Sequence, residues 1–176
     1  VPATDRPIAR DRSGHLNELY FGSFILDYQL VESCGREEFM KGLKTNIERE
    51  TEKNRNFRKV LYTSAHSQLV LMSIKPKQDI GEEVHGGNDQ FFRFEAGRGR
   101  VEIDGNKYTV KDGDAVVIPA GAKHNIVNTS ATEDLKLYTI YSPPHHKDQI
   151  VRKTKEEAEA NDQEFDGKTT EKVKKK

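Results

Sequence analysis

From Phe57 onward the chain breaks into short segments of alternating or apolar residues, "KVLYT", "QLVLMSI", "QFFRFEAG", "RVEI", "KYTV", "DAVVIPAG", "HNIVNTS" and "LKLYTIYSP", each bounded by turn-forming residues. Strands this short and this regularly spaced pack as a sandwich or a closed barrel, because each needs a neighbour for its backbone and a facing layer for its apolar side. "IDGNKY" places Asp104-Gly105 between two of them, and a type I′ hairpin needs positive φ at both central positions. Pro143 and Pro144 end the last strand, since proline brings no donor to a ladder.

The flanks read differently. Residues 1–15 are polar and aperiodic and are expected to be an arm. Residues 16–56 are expected to form a helical extension packing on the barrel or on a partner subunit. In "GREEFMKGLKTNIERETEKN", Phe39, Leu43 and Ile47 recur every four residues beside Met40, Ser33 can cap, and Glu37 and Glu38 suit a helix start. The barrel would then occupy residues 57–144. Residues 145–176 are dense in charges of both signs and are expected to be a mostly mobile tail, with "KTKEEAEAND" as a short exposed helix.

The 176 residues carry 29 basic and 29 acidic side chains, so no global field draws the chain to nucleic acid or to an anionic membrane. Cys34 stands alone, which excludes an internal disulfide framework and a zinc ribbon. No apolar run approaches the roughly 18 residues of a membrane span, and "VPATDRPIARDRSG" has no apolar signal core. A cytoplasmic protein with a small-molecule ligand is expected, without nucleic acid or membrane as partner.

The histidines carry the chemistry. His15, His66, His145 and His146 have no partner at metal-ligand spacing on a strand and read as surface residues. His85 and His124 differ because each falls in a β-like segment, where residues of equal parity share a face. Glu83 shares the face of His85. Beyond Gly86-Gly87, Gln90 shares a face with Phe92 and Phe94. Should these segments meet "KHNIVN" inside one barrel, Glu83, His85, Gln90 and His124 converge. One carboxylate, one amide and two imidazoles suit a divalent ion such as Zn, Mn, Fe, Ni or Co, and the lack of thiolates disfavours Cu(I) or an iron-sulfur cluster. Leaving Glu83 buried without a cation would carry a large desolvation cost. Phe92, Phe94 and Tyr138 are candidate walls of a substrate pocket, and Arg93 is expected to point away from it.

"GDAVVIPAGAKHNIVN" resembles the second motif of the cupin superfamily, with its fixed positions at Gly113, Pro119, Gly121, His124 and Asn128. The first cupin motif is matched in part: with its closing glycine at Gly97, Glu83 takes the place of the first histidine, His85 the second, and Gln90 the glutamate. The resemblance implies a mainly β fold, a double-stranded β-helix or jelly-roll barrel, here preceded by the helical extension. It also implies one divalent metal held by Glu83, His85, Gln90 and His124. In a metal-free alternative, His124 simply hydrogen-bonds within the barrel. The whole chain is similar to small single-domain cupins that resemble the metal-binding domain of type II mannose-6-phosphate isomerases. That similarity implies isomerase-like chemistry on a sugar or another polyoxygenated substrate. A dioxygenase, a decarboxylase and a non-enzymatic ligand-binding module remain alternatives, and a homodimer is the expected assembly.

Overall fold

A computed structural model describes residues 40–172, so the expected arm and most of the extension, including Phe39 of the helical stripe, lie outside the described residues. The described elements are a helix α1 (Ile47–Lys53), ten strands and a second helix α2 (Lys155–Ala160). The strands are β1 (Arg58–Thr63), β2 (Gln68–Ile74), β3 (Glu83–Val84), β4 (Asp89–Ala96), β5 (Arg98–Ile103), β6 (Asn106–Lys111), β7 (Ala115–Ile118), β8 (Lys123–Asn128), β9 (Leu135–Ser142) and β10 (Val151–Arg152). They form two antiparallel sheets, one in the order β10-β1-β2-β9-β4-β7 and the other β3-β8-β5-β6, a jelly-roll arrangement.

Between the sheets sits one core. Val70, Ile74, Phe92, Phe94, Val101, Ile126, Leu135 and Leu137 are all fully buried there. The Asp104-Gly105 hairpin forms as expected, with φ of 44° and 83°. β9 ends at Ser142, directly before the two prolines.

Three expectations are corrected. The helix starts at Ile47, not upstream, because Asn46 caps it by accepting from the Arg49 N–H and Gly42 adopts a φ of 67° that no helix contains. The proposed stripe accordingly fails to act as one face: Met40 and Leu43 are about half exposed, while α1 buries Thr51 and lies on β2, β4 and β9. That cover explains why β2 is buried on both faces from Val70 to Ile74.

The charged segment after Pro144 is ordered through residue 172. It contributes β10 to the edge of β1, forms α2 where a short helix was expected, and folds back so that His146 bridges Glu164. Thr170 closes the return, with its N–H donating to the Thr63 carbonyl. Backbone pairing and a buried histidine hold this segment where its composition alone suggested solvation.

Candidate metal centre

The turn of the second motif builds the site. Gly121 has a φ of 85°, and its N–H donates to the His85 carbonyl at 2.9 Å, while the Ala120 N–H reaches the Asp89 carboxylate, also at 2.9 Å. The β7–β8 turn is thereby fastened to the stretch between β3 and β4. β3 then pairs with β8 so that Glu83 lies opposite His124.

Glu83 and His85 turn inward on either side of exposed Val84, and a ligand atom from each of Glu83, His85 and His124 lies within 4.8 Å of the others. His85 Nε2 is 3.1 Å from Glu83 Oε2, and His124 Nε2 is 4.0 Å from the same oxygen. The Ala122 carbonyl, 3.0 Å from His124 Nδ1, takes that nitrogen's proton as a hydrogen bond. This leaves Nε2 with a lone pair facing the cluster.

Gln90 is 1% exposed on the inner face of β4, opposite Tyr141, whose ring is 5.8 Å from that of His85. Neither amide atom of Gln90 has a hydrogen-bond partner, and neither does His124 Nε2, although all three are buried. Buried polar atoms are nearly always satisfied, so an imidazole lone pair and an amide oxygen left unpartnered beside a carboxylate fit a site built for an ion.

The electrostatics revise one premise. Burial pushes the Glu83 carboxyl up, but the hydrogen bond with His85 and the charge of Arg58, with lesser help from the two neighbouring imidazoles, outweigh it and hold the carboxyl below its usual range. Arg58, 6% exposed on β1, places Nη2 3.8 Å from Glu83 Oε1 and Nη1 3.2 Å from Asp162. Glu83 therefore has a resident cation. The cost of burying it no longer argues for a metal, and the unpartnered atoms of His124 and Gln90 carry that reading instead. Burial pushes the His124 imidazole down, with partial opposition from Ala122 and Glu83, and keeps it neutral as a ligand must be. Arg58→Met is expected to destabilise the fold by about 2 kcal/mol, because Glu83 and Asp162 lose a shared partner. Urea unfolding would show it, and an unchanged midpoint would mean that the ion pair contributes nothing.

The pocket residues divide. Phe92 packs against His124, with ring centroids 6.4 Å apart, and Phe94 is buried deeper in the core along the same strand. Tyr138 does not face the site. The inward set on β9 is Leu135, Leu137, Thr139 and Tyr141, so Tyr138 lies on the outer face against Phe91, at 6.2 Å between ring centroids. Tyr141 takes the place expected of it. Arg93 points outward as expected and pairs with Glu95 at 3.7 Å.

Sequence reading missed His145 and His146. His146 is 1% exposed, with Nε2 3.3 Å from the Tyr141 hydroxyl and Nδ1 3.6 Å from Asp162. With Nδ1 carrying the proton toward Asp162, Nε2 accepts from the phenol. Burial pushes the His146 pKa down to about 4, and the close approach of His146, with the charge of Arg58, holds Asp162 at about 2. Tyr141 is pushed up by its own burial and stays a phenol. A double histidine after two prolines carries no signal of its own, and only the return of the chain after Ser142 brings it here.

Comparison with known proteins agrees with this architecture. The cupin domain model matches residues 70–141. Uncharacterized protein L612 of Acanthamoeba polyphaga mimivirus is 51% identical over 104 residues, covering 57% of this chain and 65% of its own length. Protein YrkC of Bacillus subtilis is 44% identical over 126 residues, covering 68% of this chain and 67% of its own. The crystal structure of BH2720 from Bacillus halodurans superposes with a TM-score of 0.67 at 43% identity, covering 69% of this chain and 96% of that one. The fold and the clustered site define a barrel protein with a site able to hold a metal. The chain belongs to the cupin superfamily. Among the described residues no helix is long and apolar enough to cross a membrane.

Proposed function

We propose that the chain is a metal-dependent small-molecule enzyme acting on a sugar or another polyoxygenated substrate, with isomerase-like chemistry of the kind that a resemblance of its sequence to the metal-binding domain of type II mannose-6-phosphate isomerases would imply. The observation that carries the reading is the cluster of Glu83, His85 and His124 within 4.8 Å, joined by the unpartnered His124 Nε2 and Gln90 amide. Glu83, His85, Gln90 and His124 would hold the ion. A divalent ion bound there supplies Lewis acidity toward a carbonyl or hydroxyl oxygen.

The remaining work falls to the chain itself. Ala122 fixes the tautomer of His124, so its donor nitrogen is set before anything binds. Arg58 and His85 keep the partly buried Glu83 ionised. Phe92 closes the inner side of the site and excludes water from it. Tyr141, held as a phenol, offers a hydrogen-bond donor and not a base.

Elemental analysis of the purified protein tests the reading. Zn or Mn in near one-to-one amount supports it, Fe points instead to an oxygen-dependent reaction on the same fold, and no metal leaves a ligand-binding module. In His124→Ala, metal affinity is expected to fall by about a hundredfold or more while the far-ultraviolet circular dichroism is retained. A folded His124→Ala protein that holds the metal at wild-type affinity would sink the assignment.

A further inference from the structure

The two histidines after β9 differ in what their nitrogens do. Both nitrogens of His146 face partners, Tyr141 on one side and Asp162 on the other. The ring nitrogens of His145 have no hydrogen-bond partner among the described residues, and its side chain is half-buried. Its ring centroid lies 4.3 Å from that of His85, edge to face, and it stacks on Tyr141 at 5.3 Å with 23° between planes. Two rings therefore fix its orientation.

The backbone beneath it is fixed as firmly. Gln68, wholly buried on β2, accepts from the His145 and His146 N–H groups through one oxygen, at 3.3 and 2.9 Å. Its amide nitrogen donates to the His146 carbonyl at 2.6 Å and to Thr63 at 2.9 Å. Phe165 completes the clamp by donating its N–H to the His145 carbonyl at 2.9 Å. A buried amide with its hydrogen bonds satisfied is a rigid support, and here it presents a histidine with free nitrogens beside a candidate ligand.

We propose that His145 is a substrate-contacting residue of the site, hydrogen-bonding an oxygen or N–H group of a small oxygen-rich ligand bound at the cluster, without holding the metal itself. The inference rests on the metal reading above. It adds a polar contact supplied by the C-terminal segment, outside both barrel motifs. A neutral imidazole offers one donor and one acceptor, which suits a hydroxyl or carbonyl next to a metal-bound oxygen and gives no preference for a strongly charged anion.

The test uses the full chain loaded with Co(II), whose visible spectrum reports changes in its ligands, titrated with acetohydroxamate as a two-oxygen probe with a free N–H. His145→Phe keeps the ring packing and removes the nitrogens, while His145→Gln restores a polar group. Co(II) affinity is expected to stay within about threefold of wild type in both variants. Acetohydroxamate affinity is expected to fall about tenfold in His145→Phe, the effect of one hydrogen bond, and to recover in part in His145→Gln. Unchanged acetohydroxamate binding in His145→Phe would overturn the proposal, and so would a tenfold loss of Co(II) affinity, which would make His145 a ligand or a structural support. Wild-type protein that takes up no Co(II) refutes the metal reading itself, an outcome separate from either of these, and removes the basis of the proposal.

Discussion

Gly97→Ala is expected to lower the free energy of unfolding by about 3–5 kcal/mol, a loss large enough to leave little folded protein at physiological temperature. Gly97 joins β4 to β5 with a φ of 85°, and a Cβ there would sit 2.5 Å from the Asp134 carbonyl oxygen and 3.1 Å from the Leu135 Cα. Both are backbone atoms at the start of β9, a central strand, and Asp134 is further held by Lys75 at 3.0 Å and Ser73 at 3.2 Å. Neither can retreat without disturbing the sheet. Gly121 supplies the control. Its φ is also 85°, yet nothing lies within 4 Å of an added Cβ, so Gly121→Ala meets only the backbone preference, about 1 kcal/mol. Denaturant unfolding of the two variants separates the contributions, and equal losses would show that the close approach at Gly97 is unimportant. The closing glycine of the first motif is thus required by contact as well as conformation, and Gly121 of the second by conformation alone.

Acid is expected to weaken the fold through His146 well before the carboxylates titrate. Its pKa falls from the ordinary 6.5 to about 4 in the folded protein, chiefly by burial. A histidine depressed in this way is neutral when folded and charged when unfolded over that interval, so the unfolded chain binds more protons. Its contribution is whole above pH 6.5 and is lost as pH falls toward 4, about 3 kcal/mol in all. Asp162 acts lower, between its ordinary 3.8 and about 2, and its half-exposed side chain makes that contribution small. Stability would be followed against pH with a chelator present, for wild type and His146→Gln. The wild-type curve is expected to fall more steeply between pH 6.5 and 4. His124 and His145 are also held low by burial but are common to both proteins, so parallel curves would remove His146 from the account.

Turn chemistry and alternation located the eight longer strands within a few residues, because a hairpin such as Asp104-Gly105 is specified by local backbone preference. β10 escaped notice, and β3 was legible only as a β-like stretch around His85. Each spans two residues, and such strands exist only through their partners, β8 and β1. The motif spacing located Glu83, His85 and His124, since strand parity and a Pro-Gly turn are local properties too. Tyr138 and Tyr141 were not separable in "LKLYTIYS", where both faces of the strand carry apolar residues. The structure supplies the reason: α1 lies on the outer side of the sheet, so half-buried apolar residues on that face weaken the usual contrast in sequence. Arg58 and Asp162 look like ordinary surface charges in sequence, and their meeting depends on chain return across the whole barrel. The helix was misplaced for a different reason. Phe39, Leu43 and Ile47 have helical spacing, but the positive φ of Gly42 and the cap at Asn46 outweigh it among the described residues.

The Arg58–Asp162 contact joins the first strand of the barrel to the residue that follows α2 and its cap, 104 positions later, and the same guanidinium faces Glu83. Segments held by a few surface contacts commonly open and close on their own, ahead of any global unfolding. In this protein local opening of the segment after α2 would be felt at the centre: each excursion withdraws Asp162 from Arg58, frees the guanidinium to shift, and alters the field in which Glu83 meets its ligand. Occupancy of the barrel and protection of a distant backbone would then rise and fall together.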